Sequence, residues 1–394
     1  MDLTYSEADE QFRAEFRAWL DSNLPTEWRA PGFWSSLDED EGFRLRRDWE
    51  ADKARAGFAG IQWPKEYGGR GGTHAQKAIY DEEMVRYRAP QTVNSLGLTF
   101  LAPTVMVIGT EEQKRDIIKP LLFNEAIWCQ GFSEPNAGSD LAALQTRAES
   151  DGDEYVINGQ KIWTSNALHA DKMFGLFRTS TEDKKHRGIT MILLDLRNPD
   201  GSFAPGIEIR PLKQMSGARD FGEVFFTDVR VPKTNVIGTV GAGWDVAMLL
   251  LSFERGSSAM PQYTGFSREV DDIVTLAKQL GRDGDPLLRQ KIASSVVELE
   301  CLKYHSLHVL TQVEQGKELG AASSMTKLQW SETHQDIGEL FTDVAGLHHQ
   351  YSDSDLGLFD LQYSFLWSRS ETIWGGSSQV QRNIVAEHLL GLPR

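Results

Sequence analysis

The sequence predicts an α+β chain in three stretches: a helical first third, a strand-rich middle third and a helical bundle at the end. Three observations carry this prediction. Apolar residues recur at helical spacing up to about residue 125 and again from about 241. Between those limits the period becomes extended, with glycine and proline punctuating short apolar runs. The switch falls at Trp128–Asp140, WCQGFSEPNAGSD, where Pro135, Asn136 and Gly138 exclude a helix interior. No helix separates the strands, so the sheet should be antiparallel or barrel-like rather than doubly wound. No GxGxxG follows a strand, which argues against a nicotinamide-binding domain.

In the first third, Ser6 and Asp9 form a capping pattern ahead of Phe12, Phe16, Trp19 and Leu20, an amphipathic helix over 6–22. The segment around Trp34 reads as irregular, and helical pattern returns near 43–58. Trp63-Pro64 and the glycines of 67–72 mark a loop that lacks the GK[ST] of a phosphate loop. Helices follow at about 74–87 and 97–108. Thr110 and Gln113 then open another that Pro120 should cut short.

The middle third holds Tyr155–Ile157 and Lys161–Trp163 around Asn158-Gly159, a pair that suits a type I′ hairpin turn. Further strands are expected at 173–178, 189–194, 207–210, 223–226 and 229–231. The loop 128–140 offers free N–H groups and hydroxyls of the kind that wrap a phosphate or a flat polar ring edge. Taken alone, it could equally be a linker.

In the last third, Trp244, Ala247, Met248 and Leu251 form a core-facing stripe whose continuation reaches Glu254 and Arg255. Ionisable groups on an apolar face need a partner or a purpose. Either they form an ion pair, or the carboxylate faces a partly dry cleft that raises its pKa toward that of a useful base. Helices are expected through 270–277, from Ile292, and near 318–345 and 379–390, with 281–286 as a polar connector. Adjacent His348 and His349 do not share a helix face, so no metal site is predicted.

Net charge is −16, from 41 Lys+Arg against 57 Asp+Glu, which disfavours nucleic acid and anionic membrane surfaces as partners. Cys129 and Cys301 are the two cysteines, with no CxxC, so neither a disulfide framework nor a zinc site is indicated. The start, MDLTYSEADE, is acidic and polar rather than a signal peptide, and no apolar run is long enough to span a bilayer. A reduced, cytoplasmic protein is expected.

Five ordered motifs make the chain resemble the acyl-CoA dehydrogenase family along essentially its whole length. Ser133–Asp140, SEPNAGSD, is similar to the family's TEPxAGSD flavin loop. Asn158–Asn166, NGQKIWTSN, resembles its NGxKxWIT(N) strand, and Ile373–Arg382 resembles its YEGTxxIQR segment. Trp63–Gly71 and Gly109–Lys114 match its PxxYGGxG and GTEEQK. The resemblance implies an N-terminal all-α domain at 1–125, an antiparallel β-barrel-like domain at 126–236 and a C-terminal four-helix bundle at 237–394. It also implies bound FAD and α,β-dehydrogenation of an acyl-CoA thioester to the trans-2-enoyl-CoA. Electron-transfer flavoprotein or a similar acceptor is the implied oxidant, and the assembly a homo-oligomeric dimer or tetramer, or a hetero-oligomer with a homologous subunit.

Carried over residue by residue, Gln130, Phe132, Ser133, Gly138 and Ser139 are implied FAD contacts on the loop. Trp163 should pack on the isoalloxazine beside Thr164, with Ser165 donating toward flavin N5. Ser377 and Gln379 should meet the adenosine half, and Ser139, Arg255 and Gly376 should serve the substrate. Most members place the catalytic base at the glutamate of YEG, where this chain has Gly375. A minority, including isovaleryl-CoA and long-chain acyl-CoA dehydrogenases, place it before an arginine, as in Glu254-Arg255 of LSFERG. Glu254 is therefore the expected base, with the Gly375 N–H left to bind the thioester carbonyl.

Two segments depart from the family. RxxFG is not evident near 267–282, and QxxGGxG is replaced by Gly346–Gln350. Such losses occur in relatives that act as hetero-oligomers, several on sterol side-chain thioesters, and Gly375-Gly376 leaves room for a bulky acyl group. Two alternatives stand beside the leading reading. One is a flavin oxidase or monooxygenase on the same fold; the other is a subunit without activity of its own.

Overall fold

The computed structural model describes residues 5–30, 32–254, 259–317, 320–350 and 358–393, with the backbone alone at Ser35, Glu254 and Ala322. Contacts gather it into two units. A helical unit takes residues 1–42, 72–90 and 255–394, and a sheet unit takes 43–71 and 91–254.

In chain order the helices are α1 Glu7–Asn23, α2 Phe33–Ser36, α3 Glu39–Arg55, α4 His74–Arg86, α5 Ala102–Ile108 and α6 Glu111–Leu122. After the strands come α7 Gly243–Glu254, α8 Met260–Gln279, α9 Pro286–Glu314, α10 Ala322–Ala345, α11 Phe359–Glu371 and α12 Ser378–Ile384. The capping boxes expected at Ser6 and Thr110 are both formed, and Thr73 makes a third. Pro120 does not stop α6, which runs two residues further; in its last turn only one intrahelical bond is lost to the missing N–H.

The strands are β1 Trp128–Gly131, β2 Arg147–Asp151, β3 Glu154–Ser165, β4 Lys172–Arg178, β5 Ile189–Asp195, β6 Ile207–Leu212, β7 Phe221–Pro232 and β8 Val236–Ile237. They form one sheet in the order β6-β7-β3-β2-β4-β5-β8, with β1 beside β4. Pairing is antiparallel except where β1 and the start of β2 lie parallel to β4. Strands β4 and β5 are buried on both faces. Phe174, Leu176, Met191 and Leu193 enter a core shared with Val105, Ile118, Leu121 and Leu250. Met173, Phe177, Ile192 and Leu194 enter another, shared with Ile157, Val224 and Phe226 from β3 and β7. The sheet therefore curls over itself and is covered on its other face by α5, α6 and α7.

One expectation is corrected. Asn158-Gly159 is not a hairpin turn, because β3 runs straight through it. The β2–β3 reversal lies at Asp151–Glu154, where Gly152 supplies φ +58°. Asn158 instead bonds across to Asp228 on β7, by Nδ2 to Oδ1 at 3.0 Å and from the Asp228 N–H at 2.9 Å. Gly159 sits at a register shift against β7, and a Cβ there would lie 2.8 Å from the Thr146 Cα. Close approach, not turning, is what glycine serves here.

In the helical unit, α8, α9, α10 and α11 form the bundle, with α4 packed on α8 and α9. Its core includes Phe266, Ile273, Leu302, Ile337 and Phe341. Helix α11 falls outside the sequence expectations, since its 13 residues have almost no amphipathic period. The Trp34 segment, read as irregular, contains the single turn α2.

Candidate functional site

Strand β1 delivers the chain into the loop 132–146, and β3 holds that loop in place. The Phe132 carbonyl accepts from Lys161 Nζ at 3.1 Å, and the Ser133 carbonyl accepts from the Ile162 N–H at 2.9 Å. Glu134 and Ala137 exchange backbone bonds at 3.0 Å, closing a tight turn around Pro135-Asn136. The Glu134 carboxylate is buried. It accepts from Lys161 Nζ at 2.8 Å, the Gln145 N–H at 2.6 Å and the Thr146 N–H at 2.9 Å. Burial pushes the Glu134 carboxyl up, but Lys161 and those N–H groups outweigh it and hold it below the usual carboxylate range. For Lys161 burial prevails and lowers its pKa to about 8, although Glu134 pulls the other way. Ser133 is left half-buried, while Gly138 and Ser139 stand exposed beyond the turn. Asp140 is paired with Lys185 at 2.6 Å.

Past Lys161 the pairing of β3 with β7 slips, resuming at Thr164↔Gly222. Trp163 occupies the bulge with φ +57°, a conformation that a bulky residue rarely adopts. Its indole is 58% exposed and touches Phe221 edge-on at 5.9 Å between ring centroids. Next to it, the buried Thr164 hydroxyl has no hydrogen-bond partner among the described residues. An uncovered aromatic plane, an orphaned hydroxyl and the half-buried Ser133 and Ser165 fit the edge and face of a flavin ring. Gln130, Phe132, Ser133, Gly138 and Ser139 are thus gathered with Trp163, Thr164 and Ser165 by β1 and β3 of the sheet unit.

In the helical unit, α11 ends at Glu371 and the chain turns through Gly375 (φ +63°) and Gly376 (φ +85°) into α12. Gln381 Nε2 donates to the Gly375 carbonyl at 2.8 Å, and Lys327 Nζ donates to the Gly376 carbonyl at 2.9 Å. Ser377 caps α12, accepting from the Val380 N–H at 3.3 Å, and Gln379 is exposed. These two residues line a cavity of about 470 Å³ with Gln335, Thr372, Ser378 and Arg382. The buried Ser378 hydroxyl there lacks a partner among the described residues.

Helix α7 ends on Glu254, whose backbone alone is described; Arg255 lies outside the described residues. The buried face of α7 is centred on Val246, Ala247 and Leu250, and Met248, expected in the stripe, is 38% exposed. Glu254 follows Ala247 by seven residues and Leu250 by four in the sequence. His348 and His349 lie in a short 3₁₀ turn, Gly346–Gln350.

Sequence reasoning passed over two buried polar groups. One is Lys161–Glu134, hidden inside motifs read for their neighbours. The other is His334 on α10, with Nδ1 2.5 Å from Glu371 Oε2 and Nε2 3.1 Å from Glu269 Oε2 and 2.7 Å from Ser364 Oγ. Pairing across separate helices leaves no spacing signal in a sequence.

Comparison with known proteins matches three family models in order: acyl-CoA dehydrogenase, N-terminal domain, at 6–125; middle domain, at 129–229; and C-terminal domain, at 241–390. Acyl-CoA dehydrogenase IpdE1 of Mycobacterium tuberculosis is 40% identical over 387 residues, covering 98% of both chains. IpdE1 of Mycolicibacterium smegmatis is 40% identical over 397 residues, again 98% of both. Among solved structures, the Tcur3481-Tcur3483 steroid ACAD matches with a TM-score of 0.85 and 30% identity over the full length of both chains. The ChsE4-ChsE5 complex from Mycobacterium tuberculosis matches with a TM-score of 0.85 and 29% identity, also over both full lengths. This chain belongs to the acyl-CoA dehydrogenase family.

Proposed function

We propose that the protein is an FAD-dependent dehydrogenase that introduces an α,β double bond into a bulky, polycyclic acyl-CoA thioester, with Glu254 as the base. The observation that carries the flavin half of this reading is the bulge at Trp163, an aromatic plane left bare beside a loop of hydroxyls and N–H groups. Ser133, Phe132 and Ser165 would hold FAD on the sheet unit, and Ser377 and Gln379 would hold its adenosine half. When bound, FAD supplies a hydride acceptor at N5.

The chain's own part is proton chemistry and positioning. An α-proton next to a thioester is weakly acidic, so a carboxylate must take it while N–H donors stabilise the enolate oxygen. Glu254 supplies the carboxylate, Arg255 orients the substrate and the Gly375 N–H donates to the thioester carbonyl. Gly375 and Gly376 present no side chain where the family's usual glutamate would project, which supports a wide acyl group. That one similar structure is named a steroid ACAD supports this reading.

Glu254→Gln is expected to keep bound FAD and lose flavin reduction by substrate; reduction at the wild-type rate would sink the assignment. Gly375 in place of the usual glutamate also favours a second reading, a subunit that acts only beside a homologous partner. FAD per polypeptide in the chain expressed alone separates the two. Near one flavin per chain supports the self-sufficient enzyme, and flavin gained only on co-expression with a homologue supports the hetero-oligomer.

A further inference from the structure

We propose that the buried Lys161–Glu134 pair positions the flavin-contacting loop against Trp163, so that both are positioning residues for the cofactor site. The inference rests on the flavin reading above.

Lys161 is wholly buried and Glu134 is 8% exposed, so neither charge is there for solubility. A buried ion pair is a poor device for stability, because apolar residues of similar volume do as well or better. What it provides here is geometry. Lys161 Nζ ties one residue of β3 to two residues of the loop, at the Phe132 carbonyl and the Glu134 carboxylate. The next residue, Ile162, donates to the carbonyl between them, that of Ser133. Three consecutive loop residues are thus fastened to two consecutive strand residues, immediately before the bulge that turns Trp163 outward. Where the loop rejoins the sheet, the Gln145 N–H donates to the other carboxylate oxygen and the Thr146 N–H to the oxygen that Lys161 holds. Thr146 Oγ1 in turn bonds both the N–H and the carbonyl of Gln160, at 3.2 and 3.0 Å. The distance between the Ser133 hydroxyl and the Trp163 indole is therefore set through this pair.

The test compares wild type, Lys161→Arg and the double variant Lys161→Met/Glu134→Gln, all as full-length chains. The double variant removes both charges together, so no buried charge is left unpaired and the fold is kept. Each protein is titrated with FAD, followed by flavin fluorescence quenching and by visible circular dichroism of the bound flavin; unfolding midpoints are measured in parallel. The double variant should unfold near the wild-type midpoint but bind FAD about tenfold more weakly, the loss of roughly one well-placed hydrogen bond. Its visible dichroism should change. Lys161→Arg, which keeps the charge but not the reach, should bind more weakly than wild type with altered dichroism. Wild-type affinity and dichroism in both variants would overturn the proposal and leave the pair a purely structural one. Failure of the wild-type chain itself to take up FAD would instead remove the flavin reading, and the proposal with it.

Discussion

Titration of His334 should make the helical unit lose stability in alkali. His334 lies on α10 with its ring stacked on Phe266 at 4.1 Å between centroids, and it is 4% exposed. Burial opposes its charged form, but hydrogen bonds and attraction from Glu269 and Glu371 outweigh burial and raise its pKa from 6.5 to about 9. A folded-state pKa above the unfolded value means that the stabilisation is complete below pH 6.5 and disappears as pH rises through about 9. The difference of two to three pKa units corresponds to about 3 kcal/mol, at about 1.4 kcal/mol per unit. The assay is denaturant unfolding near pH 6 and near pH 9.5, with hydrogen exchange of α10 recorded at both. Wild type should lose about 3 kcal/mol more than His334→Gln, whose side chain does not titrate. Equal losses in the two proteins would refute the claim that the imidazolium is held charged between its two carboxylates.

Other outcomes follow from single residues. Gly159→Ala should destabilise the sheet unit by about 1–3 kcal/mol, because the new Cβ meets the Thr146 backbone at 2.8 Å; a shift in unfolding midpoint measures it. Trp163→Ala should leave stability within about 0.5 kcal/mol of wild type, since the indole is mostly exposed, while changing the visible dichroism of bound flavin. A thiol reagent should modify exposed Cys301 under native conditions and spare Cys129, whose thiol is pushed up by complete burial; peptide mapping decides this.

Much of the fold is legible wherever one residue's neighbours in sequence are also its neighbours in space. Ser6 and Thr110 announce helix starts because the capping partners lie three residues on. The apolar runs of β4 and β5 announce strands, while their burial on both faces is seen only in the packing. Asn158-Gly159 misleads because the same dipeptide suits a turn and a bulge, and only the contacts with Asp228 and Thr146 separate them. The face of α7 is displaced by about one position, since Met248 and Val246 are equally apolar and the packing alone decides between them. The candidate site is legible as two motifs. The reason their residues are held in register, a buried lysine bonded to a carboxylate 27 positions earlier, is written in no local pattern.

Anaerobic bleaching of the flavin band would show whether this chain oxidises an acyl thioester with Glu254 as the base. Stopped-flow mixing of flavin-loaded wild type and Glu254→Gln with a CoA thioester bearing a polycyclic acyl group is the measurement. Bleaching in wild type, with its near-complete loss in Glu254→Gln at unchanged flavin content, is the predicted result. Bleaching of Glu254→Gln at the wild-type rate would rule out Glu254 as the base.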